Sequence, residues 1–465
     1  MEKIFTVSRA AKAVSGKPIN CENITDELIG SVSTDTRTIK DGAVFVALKG
    51  ENSDGHKYIK KAAELGAICC IVQDGADIPD NVPCIAVADT SQALLDLAAA
   101  YRREFKIPVV AVTGSVGKTS TRGMIASVLA QKYKTLATEG NFNNEIGVPH
   151  TIFRLDKTHE IAVLEMGMNH FGELARITVA AQPDTAVITN VGEAHIENLG
   201  SREGILKAKL EILDGLTHGG TVVLCGDNDL LWGINGSVEF ETVYCGINNT
   251  RCDLVAENIK VSADGTEFSF KYEDKEYNAR IGVPGIHHVY NALIAVAIGV
   301  KYNVPMNDII CGIREFIPDG MRQAAVKIGN FTVIKDCYNA NPTSMRSGLD
   351  VLSLAETDGR RVACLGDMME LGTISEQAHL NVGALAAQSK ADCLITVGER
   401  AKLIAQGAKD SGMPEDKIFS FDNNDELCAE IGNILKNGDV ILLKASRSMK
   451  LEQIADYMEK IWSKK

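Results

Sequence analysis

The stretch Thr113-Gly-Ser-Val-Gly-Lys-Thr119 is where residue type and spacing first imply chemistry. Two glycines allow a tight turn, and Lys118 follows the second, with the hydroxyl residues Thr119 and Ser120 next in line. Peptide N–H groups from Thr113, Gly114, Ser115, Val116 and Gly117 would face an anion in such a turn. Lys118 would reach its outer oxygens, and the Thr119 hydroxyl suits a phosphate-bound Mg²⁺. The apolar run Val109 to Val112 reads as a buried strand before the turn, and Met124, Ile125, Val128 and Leu129 recur at helical spacing after it. Strand, glycine turn and helix is the layout of a phosphate cradle. The loop is shorter than the common Walker A pattern, which would place its first glycine at Val112.

Further polar residues stand at the ends of other apolar runs. Glu165 closes Ile161-Ala-Val-Leu, and His195 follows Thr189-Asn-Val-Gly-Glu-Ala. Open α/β sheets bind ligands at the carboxyl ends of their strands, so both residues are expected at the crevice of the phosphate loop. Mg²⁺ needs few protein ligands beside phosphate oxygens and water, which makes Thr119, Glu165 and His195 a sufficient set. Taken singly, Glu165 reads equally well as a solvated strand end and His195 as a satisfied loop histidine. Lys207-Ala-Lys209 lies on the following helix, where a lysine is ordinarily a surface charge. Asp336-Cys-Tyr-Asn-Ala-Asn-Pro342 is either a crevice loop at a strand end or a plain Asn/Pro turn. His287 and His288 open an Ala- and Ile-rich helix, where capping or base contact suits them better than one shared ion.

The elements that must position these residues fall into three parts. For 465 residues the length suggests three ordinary domains, and 45% hydrophobic with 23% charged residues is a globular composition. Residues 1–107 alternate short strands with helices, including a helix expected over His56 to Leu65. Residues 108–316 begin with the phosphate loop and continue as strands and helices of a mostly parallel sheet, with an antiparallel hairpin expected between about Asp253 and Arg280. The Pro318-Asp-Gly320 turn opens a third part, 317–465, patterned as a doubly wound domain. The net charge of −13 argues against nucleic acid or an anionic membrane as main partner. Twelve cysteines without a C-x-x-C pair read as reduced core thiols. The opening Met1-Glu-Lys-Ile-Phe-Thr lacks an apolar signal stretch, and no apolar run approaches ~18 residues, so a soluble cytoplasmic chain is expected.

Taken together, the phosphate loop, Glu165, the run Asn190 to His195, Gly285-Ile-His-His-Val-Tyr-Asn291 and Asp336-Cys-Tyr-Asn339 resemble the Mur ligases, ATP-dependent amide-forming enzymes of peptidoglycan synthesis. Four further stretches are most similar to the branch that adds D-alanyl-D-alanine: Ser33-Thr-Asp-Thr-Arg37 with Gly50 and Asp54-Gly-His56, Glu139 to Pro149, Asp336 to Pro342, and Leu365-Gly-Asp-Met-Met-Glu-Leu-Gly372. The resemblance implies an α/β chain of three domains. A central parallel-sheet ATPase-type domain would be flanked by an N-terminal α/β domain for a UDP-sugar substrate and a C-terminal doubly wound, Rossmann-like ligase domain. It implies ATP and Mg²⁺ as cofactors, UDP-N-acetylmuramoyl-tripeptide and D-alanyl-D-alanine as partners, and a monomeric chain. It also implies an acyl-phosphate intermediate. Lys118, His195 and Lys209 would do the catalytic work, with Lys209 carbamylated. Thr119 and Glu165 would hold one Mg²⁺ and His195 a second. Asn291, Arg322 and Asp336 would face adenosine, and Thr36, Arg37, Asn143 and Asn144 the UDP-sugar-peptide. The chain departs from the family at His287-His288, Asp35-Thr-Arg37 and Lys444-Ala-Ser-Arg447. The competing readings are a ligase adding the third stem residue, a folylpolyglutamate synthase, and a nucleotide-controlled binding module. The stretches Tyr338-Asn-Ala-Asn341 and Leu365 to Gly372 disfavour the first two, and the candidates for two metal ions disfavour the third.

Overall fold

The computed structural model describes residues 1–50, 53–319, 322 and 324–462. The turn expected at Pro318-Asp-Gly320 therefore has its glycine outside the described residues. Three sheets organise the chain. The first orders Lys17–Ile19, Cys84–Val87, Ala67–Gln73, Ala43–Val46 and Ser31–Ser33, all parallel except the first strand. The helix expected over His56 to Leu65 is a 3₁₀ turn, Gly55–Tyr58, running into the α-helix Ile59–Glu64. Asp54 causes the tight entry, because its carboxylate accepts the His56 N–H at 3.0 Å.

The second sheet has nine strands. Seven run parallel, in the order Leu254–Ser262, Glu241–Gly246, Thr221–Cys225, Thr185–Ile188, Val109–Thr113, Ile161–Glu165 and Thr135–Ala137. The chain leaves Val109–Thr113 on one side and returns on the other, so a topological switch point opens beside the phosphate loop. The antiparallel segment is a three-stranded meander rather than a hairpin: Leu254–Ser262, Gly265–Tyr272 and Lys275–Ile281. Leu254 and Val255 still pair in parallel with Cys245 and Gly246, and an irregularity between Glu257 and Lys260 then turns the strand into the meander. Asn258 sits there at φ +53°, the bend that alternation alone could not show.

The third sheet orders Ala324–Ile328, Phe331–Lys335, Val440–Lys444, Arg361–Gly366, Cys393–Val397 and Ile418–Phe421, parallel except for the first strand. Helices cover both faces. Leu427, Ile431, Ile454 and Met458 pack on one, and Met345, Leu349, Val382 and Ile404 on the other. This is the doubly wound arrangement that its strand-helix alternation predicts.

The first and second sheets share one continuous apolar core, whereas the third has its own. The joint is the helix Thr90–Arg102. Its Leu95 and Ala99 pack on Ala180, and its Tyr101 hydroxyl donates to the Leu155 carbonyl at 2.7 Å. Arg102, 7% exposed, donates to the carbonyls of Ala181, Phe105 and Ile107 at 3.1, 2.5 and 2.8 Å. Removing that guanidinium strands three acceptors at a dry joint. Arg102→Ala is therefore expected to cost about 2–4 kcal/mol. Urea unfolding should show a clearly lower first midpoint, and an unchanged midpoint would contradict this role for the joint.

Candidate active site

The phosphate loop is shaped by the segment that follows strand Thr185–Ile188. Asn190 accepts the Ser115 N–H on its carbonyl at 3.0 Å and the Val116 N–H on its side-chain oxygen at 2.9 Å. Its amide returns a bond to the Val116 carbonyl at 3.0 Å, and the Thr189 hydroxyl donates to the same carbonyl at 2.6 Å. Gly114, at φ +149°, passes so close that a Cβ would stand 1.9 Å from Thr189 Oγ1. Only glycine fits there. These bonds correct one expectation: the Ser115 and Val116 amides are already spent on Asn190. The donors left for an anion include the Gly117 N–H, which has no partner among the described residues, and those of the first turn of the helix Lys118–Leu129, which have no partner within the helix. Lys118 Nζ donates to the Gly114 carbonyl at 2.7 Å, and burial pushes its pKa down to about 8.

Glu165 is fully buried at the end of its strand. Its Oε1 accepts from Thr119 Oγ1 at 3.0 Å and from Asn143 Nδ2 at 2.8 Å. Oε2 accepts no hydrogen bond, and the Arg122 Nε lies 3.7 Å away. An ionised oxygen buried without a donor is costly unless a cation completes it. Among the described residues no three His, Cys, Asp or Glu cluster as metal ligands. A hydroxyl and one carboxylate beside phosphate oxygens is nevertheless the donor set that suits Mg²⁺.

His195 has a left-handed backbone, φ +64°, uncommon for a side chain of this kind. Its Nδ1 stands 2.6 Å from Oε2 of Glu370, which belongs to the third sheet's half of the protein. Lys209 departs most from its surface reading: it is 2% exposed. Burial first, and then the charge of Lys118, drive its pKa well below the ordinary lysine range. Among the described residues no carboxylate pairs with it.

The far wall comes from the third part. Asp336, 8% exposed, accepts from Lys444 Nζ at 2.7 Å, and the same ammonium donates to the Asn339 carbonyl at 3.2 Å. The Arg322 guanidinium lies 4.1 Å above the Tyr338 ring. Ser115, Val116, Gly117, Lys118, Ser120, Asn143, Asn144, Glu165, His195, Arg322 and Asp336 thus line one cavity of about 300 Å³. A second cavity of about 730 Å³ adjoins it across Gly117 and His287, and Asn291 lies in its wall. Thr113, Gly114, Thr119 and Lys209 are packed behind these walls. Thr36 and Arg37 line neither cavity. Arg37, its side chain 87% exposed, turns back onto Asp35, whose carboxyl it holds down at about 2.

Sequence reasoning missed three contributors. Asn190 lies in the run that ends at His195, and its residue type alone assigns it no role. Lys444 ends a strand, which was a usable signal. Glu370 lies in the Leu365–Gly372 stretch, which carries the family resemblance, but its partner His195 is 175 residues away in sequence and the stretch does not show the pairing.

Known proteins match the chain along its length. The Mur ligase family catalytic domain matches residues 28–112, the Mur ligase middle domain 112–299, and the Mur ligase glutamate ligase domain 321–447. The UDP-N-acetylmuramoyl-tripeptide–D-alanyl-D-alanine ligase of Bacillus subtilis is 38% identical over 97% of each chain. The crystal structure of MurF from Acinetobacter baumannii superposes with a TM-score of 0.90 at 31% identity, covering 98% of this chain and 99% of that one. The MurF ligase from Thermotoga maritima in complex with ADP gives a TM-score of 0.82 at 26% identity, covering 93% and 98%. Because the Asn190 side chain accepts the Val116 N–H and donates back to the Val116 carbonyl, Asn190→Ala, which keeps the backbone carbonyl on Ser115, should weaken ADP binding about tenfold in calorimetric titration while leaving the melting temperature nearly unchanged. Equal affinity in the variant would show that the loop needs no such brace.

Proposed function

The chain belongs to the Mur ligase family, and from its cleft we propose that it joins D-alanyl-D-alanine to the terminal carboxylate of UDP-N-acetylmuramoyl-tripeptide at the expense of ATP, yielding ADP and phosphate. The observation that carries this reading is the shared cavity. The phosphate loop, Asn143 and Asn144 meet Arg322 and Asp336 of the third part around one space. A nucleotide, a carboxylate and an amine can therefore converge there.

The chemistry follows from what must be neutralised. A carboxylate oxygen of the tripeptide attacks the terminal phosphorus of ATP, the bond to the ADP oxygen breaks, and an acyl phosphate forms. The amine of the dipeptide then attacks the acyl carbon, loses a proton, and phosphate departs with its bonding pair. Catalysis is mostly positioning and charge compensation. Lys118 and the first-turn amides of its helix take the phosphate charge. Thr119 and Glu165, whose Oε2 accepts no hydrogen bond, would hold a Mg²⁺, and His195 a second one. Bound there, the metal would supply Lewis-acid neutralisation of the phosphate oxygens. Asn291, Arg322 and Asp336 face adenosine in this reading, and Thr36, Arg37, Asn143 and Asn144 bind the UDP-sugar-peptide.

Lys209 has the character that carbamate formation requires. A neutral amine attacks CO₂, one N–C bond forms and one proton leaves. Burial beside Lys118 favours the neutral amine. The product would replace a repelled cation with an anion beside Lys118 and add oxygen ligands for the second ion.

We further propose residues 1–107 as the UDP-sugar-binding domain, 108–316 as the ATP-binding domain and 317–465 as the ligase domain; each contains one of the three sheets. The chain works as a monomer in the cytoplasm in this account, where nucleotide-linked precursors and ATP meet. No helix among the described residues is long and apolar enough to cross a membrane.

Incubation with ATP, the UDP-tripeptide and D-alanyl-D-alanine should give the UDP-pentapeptide and ADP in equal amounts; ADP without amide would refute the assignment. Lys118→Ala should reduce turnover by at least about a hundredfold, and near-normal turnover would exclude its phosphate role. Lys209→Ala should lose most activity and regain part of it in formate or acetate. Full activity with unchanged Mg²⁺ dependence would rule out the carbamate while leaving the ligase reading intact.

A further inference from the structure

Glu165 is held on one side only. Thr119 and Asn143 both donate to its Oε1, at 3.0 and 2.8 Å, while Oε2 accepts no hydrogen bond among the described residues. What faces Oε2 is Arg122, its Nε 3.7 Å away. Arg122 follows Thr119 by three residues on the helix Lys118–Leu129, so the two side chains share a face. That face offers a hydroxyl to one carboxylate oxygen and a guanidinium to the other. The guanidinium is unsatisfied there too. Its side chain is 11% exposed, and its Nε is buried and donates to no atom among the described residues.

A closed arginine–carboxylate pair has N–H···O distances of about 2.7–2.9 Å, often two in parallel. At 3.7 Å the contact is one of charge without a bond. It compensates the carboxylate and leaves the lone pairs of Oε2 open. The guanidinium cannot shed its proton, so it stays a cation in every state of the site. It also has somewhere to go. Thr119 and Arg122 line a third cavity of about 500 Å³ that shares no lining residue with the other two, and Glu139 and Asp319 stand in its wall. Burial lowers the pKa of Arg122, and the charges of Glu165, Asp319 and Glu139 oppose that effect.

Building on the metal assignment of the ligase reading, we propose that Arg122 is a positioning residue that serves as the counter-ion of Glu165 in the metal-free chain and gives Oε2 up to Mg²⁺ only when a nucleotide brings phosphate charge, withdrawing toward Asp319 and Glu139. The reason is electrostatic. A divalent ion on Oε2 meets a fixed positive charge in a buried site that salt and water screen poorly. Phosphate oxygens reverse the balance, because they bring negative charge and further ligands. Arg122 thus keeps Glu165 ionised and in place without a metal, and makes metal entry depend on nucleotide.

The test reads metal affinity directly. Mn²⁺, followed by the electron paramagnetic resonance of the unbound ion, is titrated into the wild-type chain, Arg122→Met, Arg122→Lys and the double variant Arg122→Met/Glu165→Gln, each with and without ADP. Without ADP, Arg122→Met should bind Mn²⁺ about tenfold more tightly than wild type. A side chain needed only for packing would leave that affinity unchanged or lower it. With ADP present the difference should largely vanish. Arg122→Lys keeps the charge and should behave as wild type, and Glu165→Gln in the double variant should erase the gain. A folded Arg122→Met that binds no more tightly than wild type without ADP overturns the inference, as does a gain that survives Glu165→Gln. A wild-type chain that binds Mn²⁺ as tightly without ADP as with it also overturns the inference, and that comparison decides it even if Arg122→Met does not fold. The expected gain in a chain that forms no amide would support this inference and sink the ligase reading instead.

Discussion

One buried lysine, Lys209, which pairs with no carboxylate among the described residues and feels the charge of Lys118, sets the terms for the rest of the cleft. Lys209 is buried, Lys118 adds its repulsion, and among the described residues the Lys118 ammonium donates only to the Gly114 carbonyl, with the Glu165 charge opposing the effect of burial on it. Such an arrangement raises the energy of the empty site and lowers that of any state bringing negative charge. The whole chain is acidic at −13, so this positive charge is local and held by geometry. The devices around it are rigid ones: Asn190 and Thr189 clamp the phosphate loop, glycine at 114 permits their approach, and Thr119 and Asn143 fix Glu165.

The first two parts and the third differ in how they are packed together. The first two sheets share one apolar core, stitched by Tyr101 and Arg102. The third sheet's half meets them at the cleft through polar contacts. Thr343 donates to Glu193 at 3.2 Å, His195 meets Glu370 at 2.6 Å, and the Glu197 N–H reaches the Glu370 carbonyl at 3.3 Å. Polar contacts of this kind exchange readily with water and ligand, whereas a shared core does not. Closure of the third part over the first two is the motion such a construction permits. It would bring Arg322 and Asp336 against a nucleotide already seated on Lys118.

Local features were legible in the chain and distant ones were not. The strand, turn and helix around Lys118 declare themselves within some twenty residues, because the apolar period and the glycines act at short range. Glu165 and His195 were placed in the crevice by the general rule of strand ends, and both line it. By sequence Lys209 is a helical lysine, and only the packing of its helix into the core makes it a buried one. The pairs Lys444–Asp336 and Glu370–His195 join residues more than a hundred positions apart, so no local spacing announces them. The meander after Leu254 was misread as a hairpin because its bend rests on one left-handed asparagine. The Ser115 and Val116 amides were expected to face an anion, and only the position of Asn190 shows them already engaged.

In the proposed reaction the cleft activates a carboxylate by phosphorylation before an amine attacks it. Labelling the terminal carboxylate of the UDP-tripeptide with ¹⁸O and analysing the released phosphate by mass spectrometry tests it most directly. The account predicts that each phosphate released with amide formation carries one ¹⁸O atom from the tripeptide. Phosphate free of the label, or AMP and pyrophosphate in place of ADP and phosphate, would contradict it.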